Sequence, residues 1–397
     1  MPALRLALRA PLGAWLSSLC IAAASLNAAH AQVPPPPAIA AKSWMLIDVT
    51  GNRVLAQNEV DTRVEPASLT KLMSAYVVFH ALRSGVIKNT DVVPVSTKAW
   101  KAEGSRMFIE PNRPVTVDEL LRGMIAQSGN DATIALAERV GGSEEQFVEL
   151  MNRKAAEFGL KNTNFRNATG LPDPAHYTTA RDLATIAQRL VSDFPEYLPL
   201  YSLREYTYNN IKQPNRNRLL WTDPTVDGLK TGHTDAAGWC LIATAKRPLA
   251  VPANAKPGER RVLSVVLGAV SDAARAQESQ KLLNHAFLHY DDVRLFEANQ
   301  ALQTIGLYKG TKPQVKAGVA RDVIVTVPRG AADKLKASVE RSDRLIAPVK
   351  AGQVIGNVKL TLDGELAGEL PLVALEDVDQ ASVFGRAYDT VRIWLGK

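Results

Sequence analysis

Three short groups of residues carry the chemistry that this sequence offers. The first is Ser68-Leu69-Thr70-Lys71. A serine and a lysine three positions apart on a helix project from the same face. A serine hydroxyl is a poor nucleophile at neutral pH and needs a base. A lysine becomes that base when burial lowers its pKa toward neutrality, and Ala67, Leu69, Leu72 and Met73 supply apolar surroundings. The second group is Ser128-Gly129-Asn130. Its hydroxyl could pass a proton to a leaving nitrogen, and its amide could hold a substrate carbonyl and fix the lysine. The third is Lys230-Thr231-Gly232. Here a cation and a hydroxyl suit a substrate carboxylate, and the glycine lets a peptide backbone lie close along a strand.

Each group alone is weak, since Ser-x-x-Lys arises by chance in many helices and Ser-Gly-Asn is usually just a turn. Their force lies in the conjunction. They occur in this order, at spacings of about 60 and 100 residues, within one stretch of mixed helical and strand character. Closely similar motif sets mark serine acyltransferases that act on cell-wall peptides and on β-lactams.

The elements that must position these groups are readable from periodicity. Ser43–Val49 and Arg53–Ala56 flank the turn Thr50-Gly51-Asn52 and read as a β-hairpin. Ser68–Leu82 lacks Gly and Pro and reads as a buried helix, followed by helices over Val117–Ile125 and Asp131–Val140. Ser143-x-x-Gln146 is a capping-box signature for another, closed by Gly159. Thr179–Val191 is amphipathic. Strands return at Val226–Thr234, Trp239–Ala245 and Arg261–Val270, and a helix over Arg275–Tyr290 follows. These segments predict an α+β domain over residues 39–293, a sheet with a helical insert. From 294 to 380 the valines and leucines alternate with polar residues, and Asp363-Gly364 marks a hairpin turn, so a small all-β domain is expected.

Both ends of the chain are distinctive. Arg5 and Arg9 precede an apolar run from Leu12 to Ala24 and then Ala29-His30-Ala31, the layout of a secretory signal peptide over residues 1–31. A Pro-rich linker spans 32–38. Residues 381–397 place Phe384, Ala387, Tyr388, Val391, Trp394 and Leu395 on one helical face among basic residues, a pattern suited to the surface of a membrane. Once the leader is removed, Cys240 is the only cysteine and no internal disulfide is available. The net charge of +7 comes without any dense Lys/Arg run, so nucleic acid is not an expected partner. His285 and His289 are four apart on a helix but lack a third ligand, and no phosphate-binding Gly-rich loop occurs. Neither a metal nor a cofactor is expected.

The chain resembles the low-molecular-mass penicillin-binding proteins, the D-alanyl-D-alanine carboxypeptidases. The likeness rests on Glu65-Pro66-Ala67-Ser68-Leu69-Thr70-Lys71, on Gln127-Ser128-Gly129-Asn130-Asp131-Ala132 and on Val226–Thr234, and extends to the β-rich second domain and the tail. It implies a β-lactamase/transpeptidase-like fold and a periplasmic enzyme held peripherally on the inner membrane. It also implies roles: Ser68 acylated, Lys71 as base, and Ser128 and Asn130 moving protons and holding substrate. Lys230 and Thr231 would bind the terminal carboxylate of stem peptides ending in D-Ala-D-Ala, Gly232 would let their backbone lie close, and β-lactams would inhibit. The N–H groups of Ser68 and His233 would form an oxyanion hole. Arg275 stands where the family places an arginine near the carboxylate, although its surroundings, Ala273-Ala274-Arg275-Ala276, depart from the usual glycine-rich segment. A β-lactamase, a D,D-endopeptidase and a non-catalytic wall-binding scaffold remain as alternatives. The stretch Asn215–Trp221 shows no loop with the deacylating glutamate of class A β-lactamases.

Overall fold

Strand β1 (Ser43–Asp48) is buried along its whole length, and its side chains divide between two cores. Met45 and Ile47 join one apolar cluster, Trp44 and Leu46 the other, as the two-residue period of a strand requires. The computed structural model describes residues 33–249, 258–340 and 344–395; the leader and its cleavage site lie outside them. With β2 (Arg53–Asn58), β1 forms the expected hairpin. The chain then leaves the sheet for five long helices: α1 (Lys71–Arg83), α2 (Val117–Ala126), α3 (Asn130–Gly141), α4 (Glu144–Glu157) and α5 (Ala180–Asp193). It passes through a short hairpin, β3 (Glu205–Tyr208) and β4 (Ile211–Pro214), which the sequence reading did not foresee.

Three strands bring it back: β5 (Val226–Thr234), β6 (Gly238–Pro248) and β7 (Glu259–Ala269). The five-stranded antiparallel sheet runs β2-β1-β7-β6-β5, so the first and last segments of the domain pair at its centre, Ser43 opposite Leu267. Helix α6 (Asp272–His289) covers one face through Leu282, Leu283 and Ala286, and the helical insert covers the other. Strand β5 is an edge, which leaves its free side available to a ligand. Helix α1 is buried on nearly every side, as an apolar helix at the centre of such an insert must be.

The helix starts show where local chemistry decides. Ser143, Thr179 and Ser271 each accept the backbone N–H three residues on. At Ser143 that hydroxyl bond is present, but the full reciprocal box is built elsewhere, at Thr116 and Glu119.

Between α6 and the tail the chain is built mainly of strands: β8 (Tyr290–Phe296), β9 (Ala301–Tyr308), β10 (Gln314–Gly318), β11 (Val323–Pro328), β12 (Leu335–Glu340), β13 (Leu345–Ile346), β14 (Val354–Leu362) and β15 (Glu365–Ala374). Strands β8 and β11 pair, and the other six form one sheet ordered β12-β14-β15-β10-β9-β13. Asp363 and Gly364, both at positive φ, make the β14–β15 turn. The α+β class and the β-rich second unit follow the expectation. Arg260 on β7 joins the two units: it meets buried Asp48 at 2.7 Å and buried Asp292 at 3.5 Å, and donates to the Tyr290 carbonyl at 2.6 Å. Burial and then the Asp48 charge push Asp292 up to about 7 against the pull of Arg260. The tail is helix α7 (Val383–Trp394), with no residue buried and with Phe384 88% and Trp394 83% exposed. No helix among the described residues is long and apolar enough to cross a membrane.

Candidate active site

Ser68 lies on a single 3-10 turn, Ala67–Thr70, directly ahead of α1, and not inside the helix that the apolar run predicts. Two features impose the turn. Ala67 is held at φ +46, and Gly170, at φ +86, packs so tightly beneath it that a Cβ there would stand 1.8 Å from the Ala67 carbonyl oxygen. Backbone strain of this kind concentrates at functional sites. Strand β5 presses from the other side: a Cβ on Gly232 would meet Leu69 Cγ at 3.2 Å and Ala67 Cβ at 3.3 Å. The first motif is thereby wedged between the third and the loop that carries Gly170, with Ser68 still partly open to solvent.

Lys71 is 1% exposed. Its Nζ lies 3.0 Å from Ser68 Oγ, 2.7 Å from Asn130 Oδ1 and 2.7 Å from the Thr169 carbonyl oxygen. Burial, and secondarily the charge of Arg216, lowers its pKa to about 7, while Asp131 opposes the shift. A neutral amine has two N–H bonds and one lone pair. The two carbonyl oxygens take both N–H bonds, which leaves the lone pair for the Ser68 hydroxyl.

Ser128, at φ +71, is buried, and its Oγ has no hydrogen-bond partner among the described residues. Asn130 opens α3. Its Nδ2 donates to the Glu103 carbonyl at 2.7 Å and its backbone N–H to the Ser105 carbonyl at 2.6 Å. Behind it, the buried Asp131 carboxylate accepts the N–H groups of Met107 (2.9 Å), Phe108 (2.7 Å) and Ile109 (3.2 Å), fixing the rim segment 103–109.

Lys230, Thr231 and Gly232 are buried on β5, whereas His233 is exposed and packs on its cross-strand neighbour Trp239, ring centroids 4.0 Å apart. Burial, then the charges of Lys71, Arg216 and Arg275, holds Lys230 well below the usual lysine range. Arg275, on α6, donates to the carbonyls of Gly232 (3.1 Å) and Cys240 (3.3 Å) and bonds Asp272. Ser68, Ser128, Thr231, Gly232, His233 and Arg275 all line one cavity of about 680 Å³. Lys71 and Asn130 stand behind Ser68.

Sequence reasoning missed three contributors. Thr169 acts through a carbonyl oxygen, which has no side-chain signature. Arg216 lines the cavity and donates to Ser105 Oγ at 2.5 Å. Its string Asn215-Arg216-Asn217-Arg218 was noted only for lacking a glutamate. Among the described residues Asp272 is the sole acid lining the cavity, against the three arginines Arg216, Arg218 and Arg275, a balance that suits an anionic ligand. No group of three or more potential metal ligands occurs among the described residues.

A serine beside a buried lysine, a second hydroxyl and a strand edge flanked by arginines compose an arrangement suited to serine–lysine acyl transfer. Residues 28–271 match the family model described as D-alanyl-D-alanine carboxypeptidase, and 290–380 match that of the C-terminal domain of penicillin-binding protein 5. The chain belongs to the D-alanyl-D-alanine carboxypeptidase family of serine peptidases. It is 40% identical over 377 residues to D-alanyl-D-alanine carboxypeptidase DacC of Escherichia coli (strain K12), with 92% of each chain covered. Penicillin-binding protein 5 of Haemophilus influenzae superposes with a TM-score of 0.81 at 42% identity, covering 87% of this chain and 99% of that one. Penicillin-binding protein D2 of Listeria monocytogenes, solved in its ampicillin-bound form, matches at TM-score 0.57 and 29% identity over 64% of this chain and 99% of that one.

Proposed function

We propose that Ser68 is the acylated nucleophile of a D-alanyl-D-alanine carboxypeptidase acting on peptidoglycan stem peptides. The observation that carries this reading is the placing of Lys71 Nζ, 3.0 Å from Ser68 Oγ and 2.7 Å from each of two carbonyl oxygens, so that the neutral amine would commit both N–H bonds to the carbonyls and keep its lone pair for Ser68 Oγ. Lys71 takes the hydroxyl proton as Oγ attacks the penultimate D-Ala carbonyl carbon. The N–H groups of Ser68 and His233 receive the oxyanion. The C–N bond then breaks, and the proton passes from Lys71 through Ser128 to the leaving D-alanine nitrogen. Lys230, Thr231 and Arg275 hold the terminal carboxylate, and Asn130 fixes Lys71. Water hydrolyses the ester by the same route. A β-lactam acylates the same serine, and its acyl group leaves slowly.

Intact-mass measurement after incubation with benzylpenicillin, beside D-alanine release from a D-Ala-D-Ala peptide, tests this. The mature protein gains one penicilloyl adduct and releases D-alanine; Ser68→Ala does neither. An adduct retained by Ser68→Ala would exclude Ser68.

The leader and the tail place this chemistry. The chain is exported, cleaved after Ala31, and held at the periplasmic face of the inner membrane by α7. The support is the exposed apolar face of α7, Phe384, Tyr388, Val391 and Trp394, on a helix that shares its surface with Arg386 and Arg392. The intact protein is expected to sediment with membranes in high salt and to become soluble when residues 381–397 are deleted. An intact protein that stays soluble rules the attachment out.

A further inference from the structure

Three charged side chains that line the cavity are joined into one chain. The Asp272 carboxylate bonds Arg275 through Oδ1 and, through Oδ2, Arg218 Nε at 2.5 Å. The chain climbs from the floor to the solvent: the side chains of Arg275, Asp272 and Arg218 are 4%, 24% and 62% exposed. Its lower end is anchored, since Arg275 also bonds the carbonyls of Gly232 and Cys240, a cross-strand pair. Arg218 comes from the turn just ahead of the helical turn Leu219–Thr222, an element separate from α6, so the chain bridges two walls of the cavity. A second depression of about 420 Å³ lies beyond it, lined by Leu219, Pro224, Ala273, Ala276 and Gln277. Arg218 lines both depressions.

We propose that the Arg218–Asp272–Arg275 chain is a partition that restricts the leaving group to a single small residue. A leaving residue whose carboxylate rests on Arg275 lies within a side chain's length of Asp272, because Asp272 holds the same guanidinium. A methyl side chain clears this wall. A long acylated side chain, as in a cross-link made through a diamino acid, must displace Arg218 and enter the second depression. Displacing it breaks a charge-assisted bond to a carboxylate that is three-quarters buried, and nothing apolar can replace that partner. The partition therefore makes the enzyme exo-acting, a carboxypeptidase and not a cutter of cross-links. The inference rests on the proposal that Arg275 and Thr231 receive the terminal carboxylate.

Two acyl-peptides test it, one ending in D-Ala-D-Ala and the other in D-Ala-(Nε-acetyl-D-lysine). Arg218→Ala is expected to raise kcat/KM for the bulky peptide about 10-fold or more while D-Ala-D-Ala turnover stays within about threefold. Arg218→Lys, which keeps charge and reach, restores most of the original ratio. The benzylpenicillin acylation rate certifies that each variant is folded. An unchanged ratio of the two kcat/KM values in Arg218→Ala, or an equal loss of both, overturns the partition alone. If the wild type turns over a D-alaninamide-terminated peptide as fast as the acid, the carboxylate assignment falls and takes this inference with it.

Discussion

Lys71→Met lowers both penicillin acylation and D-alanine release by about 10³-fold, the middle of the range that a positioned general base contributes. Methionine keeps the length and apolar character of the stem, so the fold is retained while the proton acceptor is lost. Lys71→Arg separates base from charge. A guanidinium stays protonated and cannot accept the Ser68 proton, so this variant is as slow as Lys71→Met even though it carries a cation. The wild type should show the same dependence in its pH profile. In the proposed mechanism the base is the neutral amine, and burial lowers its pKa to about 7. The acylation rate therefore rises as pH increases through about 7 and falls on the acid side, where Lys71 is protonated. Stopped-flow acylation between pH 5.5 and 8.5 reads this directly. A flat profile over that range, or full activity in Lys71→Arg, removes Lys71 from the role.

Asp131→Ala has the second large effect, and it falls mainly on stability. One buried carboxylate holds three successive N–H groups of the rim, Met107, Phe108 and Ile109, with Phe108 at φ +68. Alanine leaves the Met107 and Ile109 donors buried without that partner and releases Phe108, which is exposed. At roughly 1–3 kcal/mol for each orphaned group, and allowing for partial relaxation, the loss is about 3–5 kcal/mol. For a domain of this size that corresponds to a fall in Tm of about 10 °C. Thermal unfolding followed by circular dichroism measures it. Asp131→Asn, which keeps one acceptor oxygen, falls between the two. Acylation also slows, because the freed rim no longer presents the Glu103 and Ser105 carbonyls that dock Asn130. A Tm within about 2 °C of wild type would show that the rim holds itself.

What the sequence disclosed and what it hid divide along a physical line. The three motifs were legible because their chemistry is carried by side chains at fixed short spacings. The strands at Val226–Thr234 and Ser43–Asp48 were legible because apolar periodicity is local. The 3-10 turn at Ser68 was not, because it is imposed by Gly170 and Gly232, both remote in sequence. Lys71 finds its third partner in a main-chain carbonyl that any residue type would supply. Arg216 and Asp272 are ordinary residues until the hairpin β3–β4 and helix α6 bring them to one cavity. Capping followed the same division: Ser143 does cap α4, yet the complete box formed at Thr116-x-x-Glu119, which has the same pattern and was passed over.

The order of the strands has a consequence for how the molecule comes into being. The hairpin β1–β2 is made first, but its inner edge is satisfied only by β7, which emerges from synthesis more than two hundred residues later. Pairings between such distant segments close slowly, because a long loop must be ordered before the contact repays it. Ser68 is encoded early and the strand that faces it late. In the proposed mechanism, until β5 docks against the Ala67–Thr70 turn, Ser68 has no oxyanion donor from His233 and no strand edge to receive a carboxylate. A half-made chain is therefore catalytically silent, and its reactivity is switched on by completion of the sheet.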